Sequence, residues 1–176
     1  MNARHAMTQA FVALIALLVA ATTRATVYQE AGAFVEEAFA GKPPAPKTLW
    51  LDKATQAEIV KILGHHYPAM RVRYWGEARR SAWILEEIGK EEPITVGIVI
   101  NQNRIELVKV LAFRESRGGE VRHPFFIDQF KGAGLRDDRQ LDRSVDGISG
   151  ATLSVRALTK LSRLALYLDG KVRVSR

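Results

Sequence analysis

Apolar residues along this chain fall into three regimes. An unbroken apolar run lies near the N-terminus, helical spacing follows, and a long stretch of alternation then gives way to helical spacing again. Residues 28–40 place Ala31, Phe34, Val35, Ala38 and Phe39 on one helix face, and Gly41 with the proline-rich stretch 42–46 ends it. Thr48 to Leu51 reads as a short extended segment. Asp52 offers an N-cap for a second helix over Ala54 to Leu63, and Gly64 offers its stop. From residue 70 the period falls to two. Arg71 to Trp75 alternates, Gly76 is expected to turn the chain, and Ser81 to Leu85 is apolar and extended. Ile94 to Ile100 is rich in β-branched residues, Asn101 to Asn103 is a turn, and Ile105 to Phe113 returns as a strand. Four strands joined by short turns predict an antiparallel meander.

Arg117 to Gly119 opens a loop, and Pro124 to Phe130 predicts a helical turn whose Phe126 and Phe130 either pack against the last helix or flank a bound ligand. That helix begins near Leu153, with Ala157, Leu158, Leu161, Leu164, Ala165 and Leu168 apolar and Gly170 as its expected end. The order helix, helix, strands, loop, helix predicts an α+β fold. It consists of an antiparallel sheet of about four or more strands with flanking helices, in one domain over 26–176.

Residues 1–25 read as an address. Arg4 and His5 precede the apolar run from Phe11 to Ala21, the pattern of a secretory signal, and Ala20, Ala21 and Ala25 offer cleavage sites. The run is short of the roughly 20 residues of a membrane span. Extended from Ala6 to Thr23 it includes Thr8 and Gln9, and reads instead as a retained membrane anchor. A buried helix is the third reading. Signal or anchor, residues 26–176 are expected in the periplasm or on the extracytoplasmic face of the inner membrane.

Composition narrows the chemistry. The 176 residues include no cysteine, which removes disulfides, thiolate nucleophiles, Cys-ligated zinc, iron–sulfur clusters and c-type haem attachment. The net charge is +7, and losing residues 1–25 would take away only Arg4 and Arg24. No basic stripe is interleaved with aromatics, so nucleic acid is not an expected partner. Lys171, Arg173 and Arg176 form a short basic tail able to touch anionic lipid. His65 and His66 are adjacent, point in different directions and have no third ligand nearby, so no metal site is assigned. Trp50, Trp75 and Trp83 are expected in the core or at its rim. Glu86, Glu87, Glu91 and Glu92 beside Lys90 read as a solvated acidic turn.

One segment carries chemistry: Asp146-Gly-Ile-Ser-Gly-Ala-Thr-Leu-Ser154. Its glycines allow a tight turn and close approach of a ligand. Ser149, Thr152 and Ser154 supply hydroxyls. A helix starts at once, so its unpaired N–H groups and positive dipole end form a ready phosphate site. Arg156 adds a cation in the first turn. On these residues alone, a plain helix entry capped by Thr152 is the commoner reading.

The segment resembles the flavinylation motif of the FMN-binding domain family: Asp, two residues, Ser or Thr, Gly, Ala, Thr. Asp146, Ser149, Gly150, Ala151 and Thr152 meet every position. The family includes subunits of the sodium-pumping NADH:quinone reductase and of the Rnf complex, and small exported proteins. Upstream, Arg114-Glu-Ser-Arg-Gly-Gly-Glu120, followed by Phe125, Phe126 and Gln129-Phe130, resembles the family's Glu-Ser/Thr-x-Gly segment. The resemblance covers about 94–168. Over 28–90 only the order of elements fits.

The resemblance implies FMN joined covalently by a phosphoester to Thr152, transferred from FAD by a separate Mg-dependent flavin transferase. It implies that Ser149 and the backbone N–H groups of Gly150, Ala151 and Thr152 hold the phosphate. Ser154 would add a hydroxyl. Asp146 would order the loop, be read by the transferase, or assist deprotonation of Thr152. Glu115 and Ser116 would meet the ring or ribityl chain, with Gly118 and Gly119 allowing close approach. The expected role is an electron carrier rather than a turnover enzyme, with a membrane redox partner and no catalytic residue of its own. The alternatives are a non-covalent FMN-binding reductase and a flavin-dependent regulatory or binding module.

Overall fold

The computed structural model describes residues 25–174. The apolar N-terminal run, and with it the expected signal or anchor, lies outside the described residues, as does Arg176 of the basic tail. The elements run β1 (Thr26–Val27), α1 (Ala31–Ala38), β2 (Lys47–Trp50), α2 (Lys53–Leu63), β3 (Arg71–Glu77), β4 (Arg80–Ile88), β5 (Pro93–Asn101) and β6 (Arg104–Phe113). A 3-10 turn (Gly119–Arg122), α3 (Pro124–Ile127), a second 3-10 turn (Asp128–Phe130) and α4 (Thr152–Val174) complete the order. Among the described residues the strands form one six-stranded antiparallel sheet, in the order β1-β6-β5-β4-β3-β2. The fold is α+β, as the sequence pattern predicts.

Local rules place most of these elements. Asp52 accepts the Thr55 N–H at 2.7 Å and so caps α2, while Gly64 closes it at φ 84°, in the left-handed region where glycine is unstrained. The β5–β6 hairpin turns through Gln102 and Asn103 at φ 52° and 62°, the positive pair that a two-residue hairpin loop requires.

Two expectations give way to packing, and one strand is added to those the pattern predicts. Gly76 does not turn the chain: it is buried within β3 opposite Ser81, and the turn comes at Ala78 and Arg79. β1 adds an edge strand too short to show any period, pairing Thr26 with Phe113. α4 runs through Gly170 to Val174. A mid-helix glycine costs about 1 kcal/mol relative to alanine. The Asp169–Arg173 pair across it (2.6 Å) and the buried Val172 hold that last turn in place.

The two sheet faces are covered unequally. On one face α2 and α4 bury Val72, Tyr74, Trp83, Leu85, Val96 and Ile98 in the main core, and Trp83 stacks on Tyr74 at 4.8 Å. On the other, α1 buries a smaller cluster of Phe34, Val35, Ala38, Ala82, Val99 and Leu111. Phe34 seats directly over Gly97, where a Cβ would come within 2.6 Å of its ring. Phe126 and Phe130 are fully buried, edge to face at 5.5 Å, which assigns both to the core.

The far half of α4 is bound to the sheet by a buried polar chain. Trp83 Nε1 donates to Ser81 Oγ at 2.8 Å, and Ser81 Oγ donates to Asp169 Oδ1 at 2.5 Å. Arg173 Nε donates to Asp169 Oδ2, and Arg173 also reaches the Arg79 carbonyl. The Ser81 hydroxyl and both Asp169 oxygens therefore have partners, as a low-dielectric interior demands.

Candidate functional site

The segment that ends at Thr152 is shaped by a turn and two anchors. Ala151 N–H donates to the Ile148 carbonyl at 3.0 Å, closing a turn around Ser149 and Gly150. Gly150 sits at φ 82°, the conformation that the third residue of such a turn adopts and that favours glycine. Val145 and Ile148 pack against the main core, and Ala151 is buried. Gln129 Oε1 accepts the Asp146 N–H at 2.7 Å, so the 3-10 turn before the loop fixes where the motif begins. Between these anchors Asp146, Ser149, Gly150 and Thr152 are exposed.

Thr152 is the first residue of α4. Ala151 lies just before it, and its carbonyl accepts the Val155 N–H at 2.9 Å. The N–H groups of Thr152, Leu153 and Ser154 therefore have no intrahelical partner and carry the positive end of a 23-residue helix dipole. Among the described residues the Thr152 hydroxyl has no hydrogen-bond partner, and neither does that of Ser149. A hydroxyl that only capped its own helix would be bonded to it.

A cleft of about 520 Å³ opens in front of Thr152. Gly150, Ala151, Thr152, Leu153 and Ser154 form one wall, and Lys90, Glu115, Ser116 and Arg117 form the other. This volume lies within the range of small-molecule sites. Gly118 brings the walls together. It adopts φ 87°, and a Cβ there would lie 2.6 Å from Ser154 Oγ and 3.6 Å from the Ala151 side chain. The close approach that Gly118 allows is thus to α4 itself. Gly119 has no comparable neighbour, its would-be Cβ lying 3.7 Å from Phe113.

Glu115 lines the cleft and is also bonded to the neighbouring hairpin. Its Oε1 accepts three backbone N–H groups from the β4–β5 hairpin: Lys90, Glu91 at 2.7 Å and Glu92 at 3.0 Å. Burial pushes the carboxyl up, but these N–H groups together with the Lys90 charge hold it below the usual glutamate range. Glu115 is therefore an anion that fastens the hairpin tip to the cleft. Ser154 is buried under Gly118, and the Ala151 N–H is taken by its own turn. The groups left to face a ligand are the Thr152 hydroxyl, the first-turn N–H groups of α4, exposed Ser116, the second carboxylate oxygen of Glu115, Lys90 and Arg117. Asp146, Ser149 and Gly119 lie outside the cleft lining.

The structure adds residues that sequence reasoning did not assign to the site. Lys90 is 62 positions from Thr152, and only the pairing of β4 with β5 and the Glu115 anchor bring it near. Leu153 is 41% exposed beside Thr152 and lines the cleft. Elsewhere the acidic turn is not uniformly solvated. Glu87 is buried between His65 Nε2 (3.0 Å) and Lys160 Nζ (3.2 Å). His65 also contacts the His66 carbonyl through Nδ1 at 2.9 Å. This backbone bond first, and Glu87 second, raise its pKa above the ordinary histidine value. His65 is thus engaged by Glu87 and by its own neighbouring carbonyl.

No helix of the described residues is long and apolar enough to cross a membrane. Residues 89–167 match the family model described as FMN-binding domain. No curated protein and no solved structure matches the chain.

Proposed function

This chain belongs to the FMN-binding domain family through residues 89–167, and from that premise we propose that it is an extracytoplasmic electron carrier with FMN joined to Thr152 Oγ1. The observation that carries the reading is the Thr152 hydroxyl, exposed and unpartnered on the first residue of α4, at the wall of a cleft of about 520 Å³. The residues fit the group. A phosphate on Oγ1 would meet the unpaired N–H groups of Thr152, Leu153 and Ser154 and the positive helix end. The opposite wall offers Ser116, Lys90 and Arg117 to the remainder.

Attachment balances simply. A Thr152 Oγ1–P bond forms as the P–O–P bond of FAD breaks and AMP leaves. The hydroxyl proton passes to a base on the transferase or to water. Gly150 keeps this loop exposed, and Val145, Ile148 and Gln129 keep it in register for a maturing enzyme. The bound flavin supplies the electron-accepting ring. The chain supplies a stiff point of attachment, because a β-branched threonine has a restricted χ1, and a wall of cations. A tether suits a compartment where free FMN is scarce, since a reversible site there empties by mass action. The electron donor would be a membrane reductase.

Intact mass decides the covalent bond. Protein coexpressed with a flavin transferase should gain one FMN less one water, and Thr152→Ala should gain nothing. Flavin released on denaturation, with colour kept in Thr152→Ala, would establish the non-covalent reading instead.

A further inference from the structure

We propose that Lys90 and Arg117 form a cationic wall that raises the reduction potential of the flavin, and that Glu115 is the positioning residue holding Lys90 in it. The inference rests on the flavin reading above. The wall faces Thr152 across the cleft, and its two cations come from different elements: Lys90 from the β4–β5 hairpin tip, Arg117 from the segment after β6. Arg117 has no ion pair among the described residues. Lys90 touches Glu91 at 2.8 Å, with both side chains 70% exposed. An exposed pair of this kind contributes little and yields readily to a competing anion. The second carboxylate of the wall, Glu115, has one oxygen occupied by three hairpin N–H groups.

The contact between Glu115 and the hairpin is tight. A Cβ on Gly89 would lie 2.8 Å from Glu115 Oε1, so the carboxylate sits directly against the backbone that presents Lys90. Glu115 has no such contact with Arg117 in the hydrogen-bond network, which is why the positioning role falls on Lys90 alone. Charge gives the wall its consequence. Two electrons and one proton added to the neutral ring leave it with one negative charge. Fixed cations beside the ring stabilise that charge, and the midpoint potential rises.

The test is a dithionite titration against a reference dye on flavin-loaded full-length protein, with dithionite as the two-electron donor. Lys90→Ala and Arg117→Ala should each lower the midpoint, the double variant should lower it further, and Lys90→Arg should keep it. Glu115→Asp keeps the charge but withdraws the carboxylate from the hairpin N–H groups, so it should lower the midpoint towards that of Lys90→Ala and add nothing in the Glu115→Asp/Lys90→Ala pair. Raising the salt concentration should lower the wild-type midpoint and leave the Lys90→Ala/Arg117→Ala variant unmoved, a readout independent of how well Glu115→Asp folds. A yellow Lys90→Ala/Arg117→Ala protein with the wild-type midpoint overturns the wall. Additivity of Glu115→Asp with Lys90→Ala overturns the positioning role. Wild-type protein without flavin absorbance overturns the functional reading itself.

Discussion

The two ends of α4 make opposite use of polar side chains. At the far end, Asp169 is buried and both its oxygens are bonded, to Ser81 and to Arg173. At the near end, the Thr152 hydroxyl is exposed and unpartnered, and a turn at Gly150 holds it out. One end is satisfied internally and fastens the helix to the sheet. The other is left unsatisfied, which is affordable only because water reaches it, and it is available to a ligand. Unpaired polar groups are tolerable on a surface and costly in a core, so a binding site and a structural network on one helix must be separated along its length.

Substitutions can break this contrast. Asp169→Ala removes one partner of the buried pair and should cost about 3 kcal/mol in urea denaturation, within the range for breaking such pairs. Flavin loading per folded molecule should be unchanged. Gly118→Ala introduces a side chain at positive φ against Ser154 Oγ. It should cost about 1–3 kcal/mol and also reduce flavin loading, because it pushes the walls of the cleft apart; unchanged loading by absorbance would separate Gly118 from the site. Thr152→Ala should shift stability by no more than about 0.5 kcal/mol while abolishing the mass increase, the reverse of Asp169→Ala.

The smallest effect lies midway along the helix, where Lys160 shares Glu87 with His65. The His65 pKa is raised in the folded state, by its backbone bond to His66 first and by Glu87 second. Its contribution is therefore fully present below the ordinary histidine value and is lost as pH rises through the raised one. Thermal melts should show a mild decline in stability over that window, and His65→Gln should flatten it.

What the sequence revealed depends on how local each signal is. The Asp52 cap, the Gly64 stop and the β5–β6 turn are set by neighbours within four residues, and all stand where the pattern puts them. The motif from Asp146 to Thr152 is equally local: its turn, its glycine and the helix start at Thr152 follow from adjacent residues. The opposite wall is not. Glu115 was legible as part of a recognisable segment, but its partners are the N–H groups of residues 90–92, fixed by strand register rather than by any side-chain type. Gly76 misleads for the same reason. Glycine marks a turn in a single chain, yet here it is held in β3 opposite Ser81, and its carbonyl accepts the Lys47 ammonium of the adjacent strand β2 at 3.1 Å.

The unbroken passage of α4 through Gly170 has a mechanical consequence. A 23-residue helix is roughly 34 Å long at 1.5 Å per residue. Its far turn is clamped by Asp169 and Arg173, and its middle is packed along the sheet by Leu158, Leu161, Leu164 and Leu168. Such a helix is a rigid lever with its free tip at Thr152. Anything bonded to that tip inherits the orientation of the whole domain, so the fluorescence anisotropy of a group fixed there would decay with the tumbling of the molecule.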